Sequence, residues 1–397
     1  MKLSNRILSM SESPIRKLVP LAQAAKKRGK KVYHLNIGQP DIETPSVFFE
    51  AIQNFKQPVL EYAFSQGSPE LIDAVRDYYQ RIGITYQADE VIITYGGSEA
   101  IMFSIVATCD HGDEILVAEP YYTNYRSFAL PYGVDVIPIT TTAETGFSLP
   151  DKATLERKIT DRTRAILLSN PGNPTGAVYS KEEVEMVAQL AIENDLFVIA
   201  DEVYREFAYD GLEVTSFGSL PQLDQQLIMV DSISKRFSAC GARIGFIASK
   251  NRQLMKQVMK LAQARLCVPT LEMVGATALY RLDPSYFDPI REEYQARRDI
   301  MLKALQDMPG VLCKVPKGAF YAVAKLPVDN AEKFAEWLLN DFEYEGETVM
   351  VAPAEGFYAT AGLGVQEVRI AYVLNTEDLV RAMEVLAQAL KVYPGKI

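Results

Sequence analysis

Six short apolar runs punctuate the first two thirds of the chain: VIIT at 91–94, ILVA at 115–118, AILL at 165–168, LFVIA at 196–200, LIMV at 227–230 and IGFIA at 244–248. They are aliphatic and β-branched and lack an alternating polar face, the pattern of strands buried on both sides. Between several of them apolar positions recur every three or four residues, as at 98–109 and 181–194, the spacing of a helix with one face on a core. Strands alternating with helices predict a mainly parallel sheet with crossover helices, an α/β core. From about residue 285 the pattern changes. A long charged amphipathic stretch, REEYQARRDIMLKALQDM, leads to GAFYAVAKL, then a further helix, a strand-like VRIAYV and a last helix near 376–391. This predicts a smaller α+β domain. The segment 1–45 carries one helix, 16–27, followed by Pro40 and Pro45, and reads as an arm packing on that second domain. The expected division is a large domain over 46–285 and a small domain made of 1–45 with 286–397.

Composition narrows the partners. With 48% hydrophobic and 23% charged residues in 397, the chain has the make-up of an ordinary globular protein. Its net charge of -10 opposes nucleic acid and anionic membranes, since both select clustered cations, and points to small molecules instead. Met1 to Lys17 contains no apolar stretch of secretory type, and no membrane span is expected. Cys109, Cys240, Cys267 and Cys313 are scattered without a CxxC pair, so neither a disulfide framework nor a cysteine metal site is expected, and the reducing cytoplasm is the expected compartment. His34 and His111 are the only histidines, which leaves proton transfer to lysine and excludes an HExxH metal site.

Residues able to do chemistry follow directly after the apolar runs. Gly96-Gly97-Ser98 follows the first, Tyr121-Tyr122 the second, Asn170 to Pro174 the third, Asp201 the fourth, and Ser232 to Lys235 the fifth. In an open α/β sheet the ligand lies beyond the carboxyl ends of the strands, so these clusters should converge on one cleft. Taken singly, each has a plain structural role: a turn and helix cap at 96–98, a strand-end acid at Asp201, a surface amine at Lys235, a turn residue at Asn173, a surface charge at Arg243. Taken together they supply a phosphate cradle, an acid beside buried surface, an aromatic face and a lysine, the set that pyridoxal phosphate requires. Neither GxGxxG nor GxxxxGK[ST] occurs, which disfavours dinucleotides and nucleoside triphosphates.

The order LNIGQPDI (35–42), YAFSQGSPEL (62–71), YGGSEA (95–100), EPYYTNY (119–125), NPGNPTG (170–176), DEVY (201–204), SISKRFSACGARIG (232–245), KGAFY (317–321) and VRIAY (368–372) resembles the class I and II aminotransferases, pyridoxal-phosphate enzymes of fold type I. The resemblance implies a seven-stranded sheet in the large domain and a transfer of an amino group from an L-amino acid to a 2-oxo acid in two half-reactions. It implies Lys235 as the Schiff-base lysine and proton carrier, and Asp201 as the partner of the pyridine nitrogen. Tyr204 and Asn173 are implied at the ring's phenolic oxygen, and Tyr122 on its face. The phosphate is expected on Gly97, Ser98 and Glu99, mainly through their backbone amides, and on the Ser232 hydroxyl and the Arg243 cation, with Tyr62 reaching it from the second subunit of a homodimer. Arg369, with Asn173 and the backbone of Gly38, is expected to hold the substrate carboxylate. No arginine for a second substrate carboxylate is apparent, so a strict aspartate enzyme is less favoured than one using glutamate, aromatic or other neutral amino acids. The stretch EGFYATAGLGVQE at 355–367 is expected to shape the side-chain pocket. Rival readings are β- or γ-elimination on the same frame and a non-catalytic regulator that binds the cofactor or an amino acid.

Overall fold

A computed structural model describes all 397 residues. Strand β1 (Lys31–His34) belongs to the smaller body of the molecule; the large sheet is built from β2 (Val91–Thr94), β3 (Glu114–Glu119), β4 (Asp135–Thr140), β5 (Thr163–Ser169), β6 (Phe197–Asp201), β7 (Leu227–Ser232) and β8 (Gly245–Ala248). Their order is β2-β8-β7-β6-β5-β3-β4. All neighbours are parallel except β8, which runs antiparallel to β2 and β7. The six apolar runs are six of these strands. The seventh, β4, went unpredicted: it reads DVIPIT, is only partly buried, and pairs with β3 alone at the sheet edge, where Pro138 is tolerated because no further neighbour needs its N–H.

Alternate side chains of each central strand enter opposite cores. Val198 and Ala200 of β6 pack in one apolar cluster and Ile199 in the other, and Ile166 and Leu168 of β5 oppose Ala165 and Leu167 in the same way. Both faces are thus covered, which explains the absence of polar alternation in the sequence. The expected helices form at Gly96–Thr108, Lys181–Glu193, Phe287–Gln306 and Thr376–Val392. Ser180 and Glu183 close the start of the second with a reciprocal capping box. The expected 16–27 helix begins only at Val19, with Pro20 in its first turn.

A third core joins residues of 18–35 and 290–393 with Tyr204, Phe207 and Tyr209. It lies on an antiparallel sheet of β9 (Leu312–Cys313), β10 (Tyr321–Lys325), β12 (Ala352–Pro353) and β13 (Glu367–Ala371), in the order β12-β13-β10-β9, while β11 (Glu347–Met350) pairs in parallel with β1. The chain leaving β1 continues this pairing, with Leu35 N–H bonded to Met350 and Leu35 O accepting from Ala371 N. That anchoring carries Asn36 to Gly38 across the carboxyl ends of the large sheet.

Candidate active site

A cavity of about 520 Å³ opens where the two bodies meet, lined by strand ends of the large sheet, the 37–39 backbone, β13 and the N-terminal residues Ser13, Ile15 and Arg16. Of the residues singled out from the sequence, Gly38, Gly97, Ser98, Tyr122, Asn173, Asp201, Tyr204, Ser232, Lys235, Arg243 and Arg369 line it. Two do not. Glu99 turns its carboxylate back to the Tyr95 N–H (2.8 Å) and toward Arg265 (3.5 Å), and Tyr62 is 81% exposed on the outside of the chain.

At one end, β2 gives way to the helix Gly96–Thr108, whose start carries no side-chain cap. Gly96 sits at φ +75°, and a Cβ there would lie 2.5 Å from the Arg243 guanidinium, so only glycine lets the arginine approach the helix start. Arg243, itself left-handed at φ +54°, donates to the Cys240 carbonyl at 3.0 Å. Uncapped amides, a half-buried guanidinium and the Ser232 hydroxyl make an anion-binding corner.

Lys235 occupies the helical turn Ile233–Arg236 immediately after β7. Its neighbour Arg236 pairs with Asp231 on the opposite side of the turn, where Tyr79 also donates to Asp231 at 2.6 Å. That buried pair fixes the turn, and the Lys235 ammonium donates to the Gly38 carbonyl at 2.9 Å, with Cys240 Sγ 3.8 Å away. Burial works against the charge of Lys235, but Tyr321, Cys240 and Tyr122 around it offset that and hold its pKa above the ordinary lysine value. Gly38 is forced by packing: a Cβ would lie 1.8 Å from the Tyr321 hydroxyl.

Asp201 ends β6 and is buried, with no cation beside it. Tyr125 donates its hydroxyl to Oδ2 at 2.6 Å, and the Val203 N–H approaches Oδ1 at 3.4 Å. Burial pushes its pKa up to about 6 against these two donors, and the nearby charges of Asp231 and Glu202 add to the rise. Next to it, Asn173 Nδ2 donates to the Tyr204 hydroxyl at 3.5 Å, and the Tyr204 and Tyr321 hydroxyls lie 3.0 Å apart. Tyr122 meets Tyr125 edge to face at 5.5 Å and receives a hydrogen bond from Asn124 at 2.8 Å.

Arg369 presents the converse case. It is 1% exposed, yet no carboxylate meets it: Nη1 donates to Asn173 Oδ1 at 3.1 Å, Nη2 donates to the Asn36 carbonyl, and Nε has no partner. Its plane lies against Tyr321 (4.6 Å) and Phe357 (5.1 Å), and burial lowers its pKa. Tyr125, Tyr321 and residues of the 13–16 segment are among the site residues that sequence reasoning missed. The first two stand inside motifs it used, but their partners lie 76 and 117 positions away.

The family model for aminotransferase class I and II matches residues 30–386. An aspartate aminotransferase of Pyrococcus horikoshii is 31% identical over 98% of this chain and 97% of its own length. The aromatic-amino-acid aminotransferase 2 of Thermococcus litoralis is 31% identical over 98% and 99%. A solved alanine aminotransferase of Pyrococcus furiosus superposes with a TM-score of 0.90 at 32% identity, over 98% of this chain and all of that one. Neither elimination nor a purely regulatory role is favoured by these relatives. With its fold, its cleft and its near full-length match, the chain belongs to the class I and II aminotransferases of fold type I, a family that works with pyridoxal phosphate, and it is an aminotransferase.

Proposed function

We propose that this cavity holds pyridoxal phosphate and moves an amino group from an L-amino acid to a 2-oxo acid. The observation that carries the reading is a pair of unmatched charges in one cleft. Asp201 is a buried anion with only neutral donors around it, and Arg369 is a buried cation with only neutral acceptors. Each is costly as it stands, and each is relieved by a ligand carrying the opposite charge: a protonated ring nitrogen at Asp201 and a carboxylate at Arg369. The anion-binding corner at Gly97, Ser98, Ser232 and Arg243 suits the phosphate, and the hydroxyl of Tyr204 with the Asn173 amide suits a phenolic oxygen. When bound, pyridoxal phosphate supplies the electron sink for breaking the Cα–H bond. The chain's own part is then to orient and to move protons: Arg369 grips the carboxylate as a fork, Tyr122 covers the ring, and Lys235 Nζ carries the proton.

Further features of the proposal are a homodimer in which Tyr62 of one copy reaches the phosphate corner of the other, and action in the cytoplasm. The 81% exposure of Tyr62, beside exposed Leu60 and Phe64, supports the first, and four free cysteines support the second. The division into 46–285 and 1–45 with 286–397 is supported by the membership of the cores, although Tyr204, Phe207 and Tyr209 reach from the first range into the core of the second. Arg16, an exposed cation, lines the cavity, so acidic side chains join neutral and aromatic ones as candidates. The test is turnover of an amino-acid panel with 2-oxoglutarate and pyruvate as acceptors, alongside assays for released ammonia. Acceptor-dependent amino transfer is the expected result, and ammonia release without an acceptor would replace it with elimination.

A further inference from the structure

Glu119, the last residue of β3, is fully buried, and its carboxylate accepts four hydrogen bonds. Oε2 takes the backbone N–H groups of Ala359 (2.8 Å) and Thr360 (3.0 Å), and Oε1 takes the hydroxyls of Thr360 (2.6 Å) and Thr140 (2.7 Å). Thr140 is its neighbour across the sheet on β4; the other three donors belong to the loop between β12 and β13. Beside it the Tyr121 N–H donates to the Phe357 carbonyl at 2.9 Å. A buried carboxylate persists only where its lone pairs are taken, and here most of the donors come from the opposite body of the molecule.

What that loop supports gives the contact its consequence. Phe357 packs its ring 5.1 Å from the Arg369 guanidinium. Phe357 and Tyr358 form a small apolar cluster with Ala352 and Ala354, against which Ile15 packs. A Cβ on Gly356 would come within 2.9 Å of the Pro14 ring, so this backbone seats the N-terminal segment directly. Ser13, Ile15 and Arg16 of that segment line the cavity. One carboxylate on a large-sheet strand therefore fixes the loop that backs both the arginine and the outer cavity wall.

We propose that Glu119 is a positioning residue for the amino-acid substrate: it latches the 357–360 loop to β3 and so sets where Arg369 and the 13–16 wall stand relative to Lys235 and Asp201. The inference rests on reading the cavity as the amino-acid site. Glu119 itself touches no reacting atom, so the latch acts on substrate binding more than on the chemical step.

Four variants separate a latch from a mere stability element. Glu119→Ala removes every bond and is expected to raise KM for the amino acid roughly ten- to a hundredfold while kcat changes by about threefold or less, because a small displacement of a binding group is enough for such losses. Glu119→Gln is expected to restore KM, since its amide oxygen takes the two loop N–H groups and its NH2 donates to the two threonine hydroxyls. Thr360→Val cuts a bond across the latch and should raise KM a few fold; Thr140→Val cuts one within the sheet and should leave KM unchanged. Hydrogen exchange at Ala359 and Thr360 should quicken in Glu119→Ala. An unchanged KM in Glu119→Ala, or equal KM shifts in the two threonine variants, overturns the latch, and the threonine pair decides the matter alone if Glu119→Ala fails to fold. A wild-type protein that turns over no amino acid refutes the proposed function instead. The latch is then judged by calorimetric affinity for succinate and 3-phenylpropionate, where equal affinities across the variants overturn it.

Discussion

Asp201→Asn should stabilise the protein without its cofactor and disable it with the cofactor. The folded carboxyl titrates near pH 6 against an ordinary value of 3.8, because burial outweighs the Tyr125 and Val203 donors. A folded pKa above the unfolded one means that the native state binds the proton more tightly. The resulting contribution is fully present below about pH 4 and is lost as pH rises through about 6. At about 1.4 kcal/mol per unit, a shift of roughly two units amounts to an upper bound of about 3 kcal/mol lost by wild type at neutral pH. Asparagine does not ionise, keeps the Tyr125 donation on its amide oxygen, and leaves its NH2 at the cavity. The assay is thermal unfolding of both proteins without cofactor at pH 4.5, 6 and 8. Asp201→Asn should unfold a few degrees higher at pH 8, and the gap should shrink to roughly a third of that at pH 4.5, where the unfolded carboxyl of wild type is already largely ionised. With the cofactor supplied, the variant should lose turnover by at least about a hundredfold, since the ring nitrogen then lacks its anion. A stability difference independent of pH would refute the burial argument, and unchanged turnover would remove Asp201 from the proposed role.

Arg369→Lys keeps the charge but loses the planar fork that Asn173 and Asn36 orient. We expect kcat/KM to fall by about 2–3 kcal/mol, roughly 30- to 150-fold, in steady-state kinetics, while the thermal midpoint moves little. Gly38→Ala places a methyl 1.8 Å from the Tyr321 hydroxyl. It should cost about 1–3 kcal/mol in unfolding experiments and displace the carbonyl that receives the Lys235 ammonium, so activity should fall with stability. Wild-type activity in Gly38→Ala would mean that the 37–39 backbone can retreat freely. Lys235→Ala should fold yet lack the pH-sensitive visible band of a lysine aldimine when pyridoxal phosphate is added, a result read by spectrophotometry across pH against the free cofactor.

The central strands were legible because burial on both faces leaves a simple mark, an unbroken apolar run such as VIIT or LIMV. Strand β4 was not, because an edge position admits Pro138 and exposed side chains, and its sequence then resembles a loop. The cleft was legible for a related reason: strand ends deliver Asp201, Ser232 and Lys235 to one side of a parallel sheet whatever the loops do. What sequence could not supply were pairings made by the tertiary fold. Nothing local in EPYYTNY says that Tyr125 will cap Asp201, and nothing in KGAFY says that the Tyr321 hydroxyl will fill the space over Gly38. Glu119 reads as one more strand-end acid until the 359–360 amides are seen to meet it. The Glu99 side chain was likewise not legible: its carboxylate caps the Tyr95 N–H and faces away, which leaves only its backbone amide for the phosphate corner.

Borohydride reduction of the purified protein after incubation with pyridoxal phosphate, followed by digestion and peptide mass analysis, tests the assignment of the reactive amine most directly. The expected result is one added phosphopyridoxyl group per chain on the peptide carrying Lys235, suppressed when an amino-acid substrate is added first. A label on other lysines with Lys235 unmodified, or no label at all, would contradict the assignment of this cleft as the cofactor site.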